Sequence, residues 1–103
     1  MESPQERIKI KADPDLADLI PGFLEKRKLD LKLIDEGLRA GDFPAIQTVG
    51  HKMKGSGEGY GFLQITEIGR ELETAAQQRD ENGIHCQREA LRRYLDAVEV
   101  IYD

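Results

Sequence analysis

The chain reads as an all-α protein, an antiparallel up-down-up-down four-helix bundle with a short N-terminal arm or helix. Three observations predict this class. Apolar residues recur at helical spacing in four segments, and short breaks rich in Gly, Pro and Asp separate those segments. The composition is 39% hydrophobic and 34% charged, with no tryptophan, a balance that suits amphipathic helices better than a sheet sandwich. Helices joined by short links pack as neighbours in space. With 103 residues there is enough chain for one modest core, so a single domain is expected over 1–103, with 1–12 as the arm and 13–103 as the bundle.

Arg7 to Lys11 alternates charged and apolar side chains, which makes a short extended lead-in too brief to form a sheet alone. Asp13 before Pro14 is an N-cap signal, and Pro21 permits a break before a longer helix from Pro21 to Ala40. Leu24, Leu31, Ile34 and Leu38 form its core stripe, and Gly41 is its C-cap glycine. Leu29 and Leu33 lie nearly opposite that stripe, and the arm is expected to cover them, the alternative being a contact surface. Asp42 caps the second helix, with Pro44 inside its first turn. A third helix is expected from Phe62 to Arg79 on Ile65, Ile68, Leu72, Ala75 and Ala76. The turn Asp80-Glu81-Asn82-Gly83 leads to a fourth, built on Leu91, Tyr94, Leu95, Val98, Ile101 and Tyr102.

The second helix carries the chemistry. Ile46, Gly50, Met53, Gly57 and Tyr60 fall on one stripe at about 100° per residue, and His51 points roughly 140° away from it, toward solvent. Lys54 and Gly55 follow at i+3 and i+4 on the same face. The cation stands near the ring, and the glycine leaves bare backbone that a partner can approach. An imidazole ordinarily titrates at about 6.5, so in neutral solution one ring nitrogen keeps a lone pair able to attack phosphorus. Phosphoryl transfer then depends on in-line placement and on neutralising the phosphoryl oxygens, for which Lys54 is the natural counter-charge.

The run His51, Lys54, Gly55, Ser56 and Gly61 resembles the signature of the histidine phosphotransfer (HPt) family. The likeness extends upstream to Leu38–Phe43 and downstream to Ile68–Ala76, covering most of residues 14 to 102. Propensity alone makes Gly55 to Gly61 a loop, since each helix-interior glycine costs about 1 kcal/mol; the family pattern implies that the helix continues. The resemblance also implies the function: a phosphorelay carrier, of the bacterial two-component type, that accepts phosphate on His51 Nε2 and exchanges it with aspartates of response-regulator receiver domains. It implies no autokinase activity and no cofactor of the chain's own, with Mg²⁺ supplied by the receiver. Its expected kinase partner is a hybrid or chemotaxis-type histidine kinase. Lys52, Gly55, Ser56 and Glu58 are the expected partner-binding residues, with Lys52 adding positive potential toward the receiver's carboxylates and Ser56 steadying the helix or the lysine. Two other functions stay open: the phosphate-accepting domain of a chemotaxis-type kinase, and a helical adaptor that binds receivers without carrying phosphate.

Other classes find less support. A net charge of −5 works against nucleic acid and anionic membranes as partners. No apolar run reaches the roughly 18 residues of a membrane span, and the start of the chain lacks the order of a secretion signal, so a cytosolic monomer is expected. The single cysteine, Cys86, fits a half-buried helix residue better than a redox or metal centre. The glycine run fails both common nucleotide-loop spacings. Asp13, Asp15 and Asp18 lack the glycine and closing glutamate of an EF-hand. His85 has neither the lysine nor the glycine that distinguishes His51, and reads as an ordinary surface residue.

Overall fold

The computed structural model describes residues 7–102, so residues 1–6 of the expected arm lie outside the described residues. Among those described, four α-helices make the fold: α1 (Ile20–Ala40), α2 (Phe43–Gly57), α3 (Leu63–Gln77) and α4 (Glu81–Ala97). Single 3₁₀ turns precede α1 at Pro14–Leu16 and follow α2 at Glu58–Tyr60. Two short strands, β1 (Ile8–Ala12) and β2 (Val98–Tyr102), complete the chain.

Helix starts follow their capping chemistry. The carboxylate of Asp42 accepts from Ala45 N–H at 3.2 Å, with proline in the first turn where its missing N–H leaves no helical bond unmade. Asp80 does the same for Gly83 at 3.0 Å. The residues expected to form a turn there, Glu81 to Gly83, are therefore the first turn of α4. At the helix ends Gly41 has φ +66° and Gly61 φ +88°, the left-handed conformation that lets the next N–H turn back onto the helix. Asp42 N–H reaches Gly37 O at 2.8 Å, and Phe62 N–H reaches Gly57 O at 2.8 Å. The expected continuation of α2 through Gly61 is thus corrected. The helix ends at Gly57, one 3₁₀ turn follows, and the left-handed Gly61 turns the chain to drop Phe62 fully into the core.

The end of the fourth helix also differs from expectation. Val98, Ile101 and Tyr102 belong to a strand, because Val98-Glu99-Val100-Ile101 is β-branched at three of four positions and finds a pairing partner. β2 lies parallel to β1 in the register Ile8↔Val98, Ile10↔Val100 and Ala12↔Tyr102. Ile8, Ile10, Val98 and Val100 pack against the core while Lys9 and Glu99 face out. The described part of the arm is consequently half of a two-stranded sheet and does not cover α1. Leu29 and Leu33 remain 60% and 48% exposed, and the expected cover is withdrawn.

The stripe of α1 is likewise shifted from the one expected. Its buried positions are Ile20, Phe23, Arg27, Asp30, Ile34 and Gly37, with Leu24, Leu31 and Leu38 only partly covered beside them. The axis of burial runs through an Arg and an Asp, which an apolar pattern search passes over. α3 buries Ile65, Ile68, Leu72, Ala75 and Ala76 as expected. A bidentate pair, Arg88 Nε and Nη2 to the two carboxylate oxygens of Asp35 at 2.9 Å each, ties α4 to α1. Cys86 is exposed, not half-buried.

α2 and α3 approach each other closely through glycine. A Cβ on Gly50 would stand 2.6 Å from Glu73 N and 2.8 Å from Gly69 O, and one on Gly69 would stand 2.5 Å from Lys54 N. Farther along, Gly57 gives the same clearance to Thr66 N. Only glycine fits at this crossing, because the groups opposite are backbone and cannot rotate away. Gly55, by contrast, faces open space. Gly69→Ala should therefore lose about 3 kcal/mol by overpacking, while Gly55→Ala should gain about 1 kcal/mol of helix stability. Urea unfolding of the two variants checks both signs.

Candidate functional site

His51 lies at mid-helix in α2, and its side chain is 68% exposed. The stripe Ile46, Gly50, Met53 and Gly57 is buried on the other side of the helix, so the outward orientation expected for the imidazole holds. The glycine crossing brings α3 close enough for a residue the sequence reading did not single out. Glu73 Oε2 lies 3.0 Å from His51 Nδ1, and Glu73 Oε1 accepts from Lys54 Nζ at 2.7 Å. One carboxylate thus holds the ring and the cation together.

Glu73 is only 14% exposed, yet its pKa lies below the ordinary 4.5, chiefly because the Lys54 ammonium bonds it, with His51 adding to the effect against the cost of burial. An ionised carboxylate accepts and never donates, so His51 Nδ1 must carry the proton. In the neutral ring the lone pair is then on Nε2. A carboxylate behind one ring nitrogen fixes tautomer and orientation in this way at many sites where histidine does chemistry.

The other expected residues fall around this centre. Lys52 and Gly55 are exposed on the flank of α2 that faces α1. Ser56 is turned inward: its hydroxyl donates to Lys52 O at 2.9 Å and accepts from Arg27 Nη1 at 2.8 Å. An arginine of α1 is thus its side-chain partner. Glu58 is exposed, beyond the end of α2, and its N–H donates to Thr66 Oγ1 at 2.7 Å. Thr66 in turn donates to Lys54 O at 3.1 Å, so this buried hydroxyl ties the last turn of α2 to the start of α3.

Arg27 and Asp30 were also missed. Both are more than nine-tenths buried, with Arg27 Nε 2.7 Å from Asp30 Oδ2. Burial pushes the Asp30 carboxyl above its ordinary value, and Arg27 opposes that shift. The guanidinium also stands over the Phe23 ring, 5.1 Å from its centroid, and Phe23 stacks on Tyr60 at 4.4 Å. Through Ser56 and Tyr60, α1 braces the end of α2. Among the described residues no cluster of His, Cys, Asp or Glu could hold a metal ion.

An exposed imidazole whose back nitrogen is fixed by a carboxylate, on a bundle helix beside a lysine and a bare glycine, defines a histidine site open to a macromolecular partner. The Hpt domain family model matches residues 18–100, and the chain belongs to that family. Membership assigns it to histidine phosphotransfer in two-component signalling. No curated protein and no solved structure matches the chain. Among the described residues no helix is long and apolar enough to cross a membrane.

The Glu73 bond has a consequence for acid stability. A carboxyl whose folded pKa is depressed contributes stability that is present above its unfolded value, here about 4.5, and lost as pH falls through the lower folded value. Glu73→Gln should be less stable than the wild type at pH 7, and the gap should close as the pH is taken below 4.5. Thermal unfolding from pH 7 to pH 3 checks it; a gap independent of pH would mean that Glu73 acts through packing alone.

Proposed function

We propose that the chain is a phosphorelay carrier in which His51 Nε2 takes a phosphoryl group from, and returns it to, the aspartate of a receiver domain. The observation that carries this reading is the 3.0 Å contact of His51 Nδ1 with Glu73, which commits the lone pair of the neutral ring to Nε2. That lone pair attacks phosphorus in line, the P–N bond forms as the P–O bond to the receiver's aspartate breaks, and the carboxylate leaves. The imidazole becomes a phosphoimidazolium whose Nδ1–H still faces the Glu73 carboxylate, so the charge created by transfer is met where it forms. Lys54 stands one turn away as counter-charge for the phosphoryl oxygens. Its bond to Glu73 holds it near the site before phosphate arrives.

The short connections between helices, and α2–α3 contacts that run from Gly50 and Glu73 to Gly57 and Thr66, support the antiparallel up-down-up-down course. Phosphate enters from a kinase or a receiver, with Mg²⁺ on the receiver's side, and this domain carries the group without kinase turnover of its own. A single cytosolic domain that works as a monomer completes the proposal.

His51→Gln keeps a polar side chain that the helix tolerates and removes the nucleophile, so folding should persist and acid-labile label should vanish on incubation with a phosphorylated receiver. An acid-stable label retained by the variant would move the site to a hydroxyl. The wild-type chain with Mg²⁺ and ATP alone should stay unlabelled. Lys54→Ala should lower the maximal transfer rate by roughly 10- to 100-fold while changing receiver binding little; stopped-flow transfer over a range of receiver concentrations separates the two.

A further inference from the structure

One face of α1 stays outside the core. Gly22, Lys26, Leu29, Leu33, Glu36 and Ala40 are all exposed and recur at spacings of four, three, four, three and four residues. That alternation lines side chains along one seam of a helix, as in helices that pair side by side. α1 buries a different set, Ile20, Phe23, Arg27, Asp30, Ile34 and Gly37, so the seam takes no part in the bundle core. Leu29 and Leu33 stand at its centre, 60% and 48% exposed, and covering them would be favourable.

The seam is complementary to itself. Its spacing reads the same from either end, so a second copy laid antiparallel sets Leu29 of one against Leu33 of the other, Lys26 against Glu36, and Gly22 against Ala40. A two-fold axis repeats each pair. Leucines meet at the centre, opposite charges flank them, and small residues stand at the ends. A parallel copy would oppose Lys26 to Lys26 and Glu36 to Glu36. The groove beside the seam, about 730 Å³ between α1 and α2, has the same polarity: Lys52 joins Lys26 at one end and Asp42 joins Glu36 at the other. Arg27 and Asp30, also on its lining, neutralise each other. Turning the second copy end for end brings its acidic end over the basic end of the first.

We infer that α1 is the contact helix of a symmetric homodimer in which two copies pair antiparallel through this seam. Leu29 and Leu33 of each copy pack against those of the other, and two Lys26–Glu36 pairs fix orientation and register. One helix per partner gives an interface at the small end of protein contacts, under roughly 1,200 Å² in all, so association is weak and a dilute chain stays single. His51, held by Glu73 of α3, lies off the seam. Phosphoryl transfer needs one chain only, so pairing adds to the phosphorelay reading and stands apart from it.

Sedimentation equilibrium of the unphosphorylated chain at low salt, from about 10 μM to 1 mM, tests the inference. The wild type should pass from monomer toward dimer over that range. Leu29→Lys with Leu33→Lys should remain monomeric throughout. Lys26→Glu and Glu36→Lys should each raise the dimer dissociation constant roughly tenfold or more, and the double variant, which restores opposite charges across the axis, should recover most of the loss. All four positions are exposed, so every variant should melt near the wild-type temperature. A wild type still monomeric at the highest concentration would overturn the inference, as would a double variant no better than the singles. If the chain stays single and the leucine variant instead raises the half-saturating receiver concentration in transfer, the seam belongs to the receiver and the homodimer fails. Labelling of His51, on which the phosphorelay reading stands, is read separately from all of these.

Discussion

The close crossing of α2 and α3 is the constraint on which the site depends. Gly50 and Gly69 let two helix backbones meet where a Cβ on either would strike the backbone opposite. Glu73, one turn beyond Gly69, is thereby brought within hydrogen-bond reach of both His51 and Lys54. Any side chain at the crossing would push α3 away and lengthen those bonds together. The buried hydroxyl of Thr66 fastens the other end of the interface by bonding Lys54 O and Glu58 N–H, so the turn that carries Lys54 is held from two directions. Fold and chemistry are coupled through one helix pair.

Glycine has two separable structural uses in this chain. Gly41 and Gly61 turn the chain through left-handed conformations at helix ends. Gly50, Gly57 and Gly69 admit a neighbouring backbone. Gly22 and Gly55 do neither, and a Cβ on either would meet nothing within 4 Å. The buried Arg27–Asp30 pair braces the neighbouring helices, because its guanidinium reaches Ser56 and covers Phe23, holding α1 against the last turns of α2.

Much of this was legible in the sequence. The four helices, the capping aspartate at 42, the buried stripe of α3 and the outward face of His51 follow from periodicity and capping chemistry, and the HPt signature pointed to the family that residues 18–100 match. The remainder was hidden for physical reasons. Glu73 lies 22 residues from His51, and an acid on the polar side of an amphipathic helix carries no local mark of what it will touch. The stripe of α1 was misplaced because Arg27 and Asp30 occupy buried positions that apolar counting skips. The extended character of Arg7–Lys11 was legible, but its pairing with a second strand was missed because each strand is too short to stand alone. Parallel pairing between residues 8–12 and 98–102 is a contact that only the folded bundle creates. Alternation in Arg7–Lys11 and the β-branched run Val98–Ile101 were the available signals, and a helical reading absorbed the second.

The account turns on which nitrogen of His51 holds the proton. Nitrogen-15 NMR of the ring reads this directly: in the neutral form the Nδ1–H tautomer should dominate in the wild type and lose its preference in Glu73→Gln, and on phosphorylation the phosphorus coupling should appear on Nε2. A neutral ring protonated at Nε2, or phosphate bonded to Nδ1, would contradict the role assigned to Glu73 and with it the function built on the α2–α3 crossing.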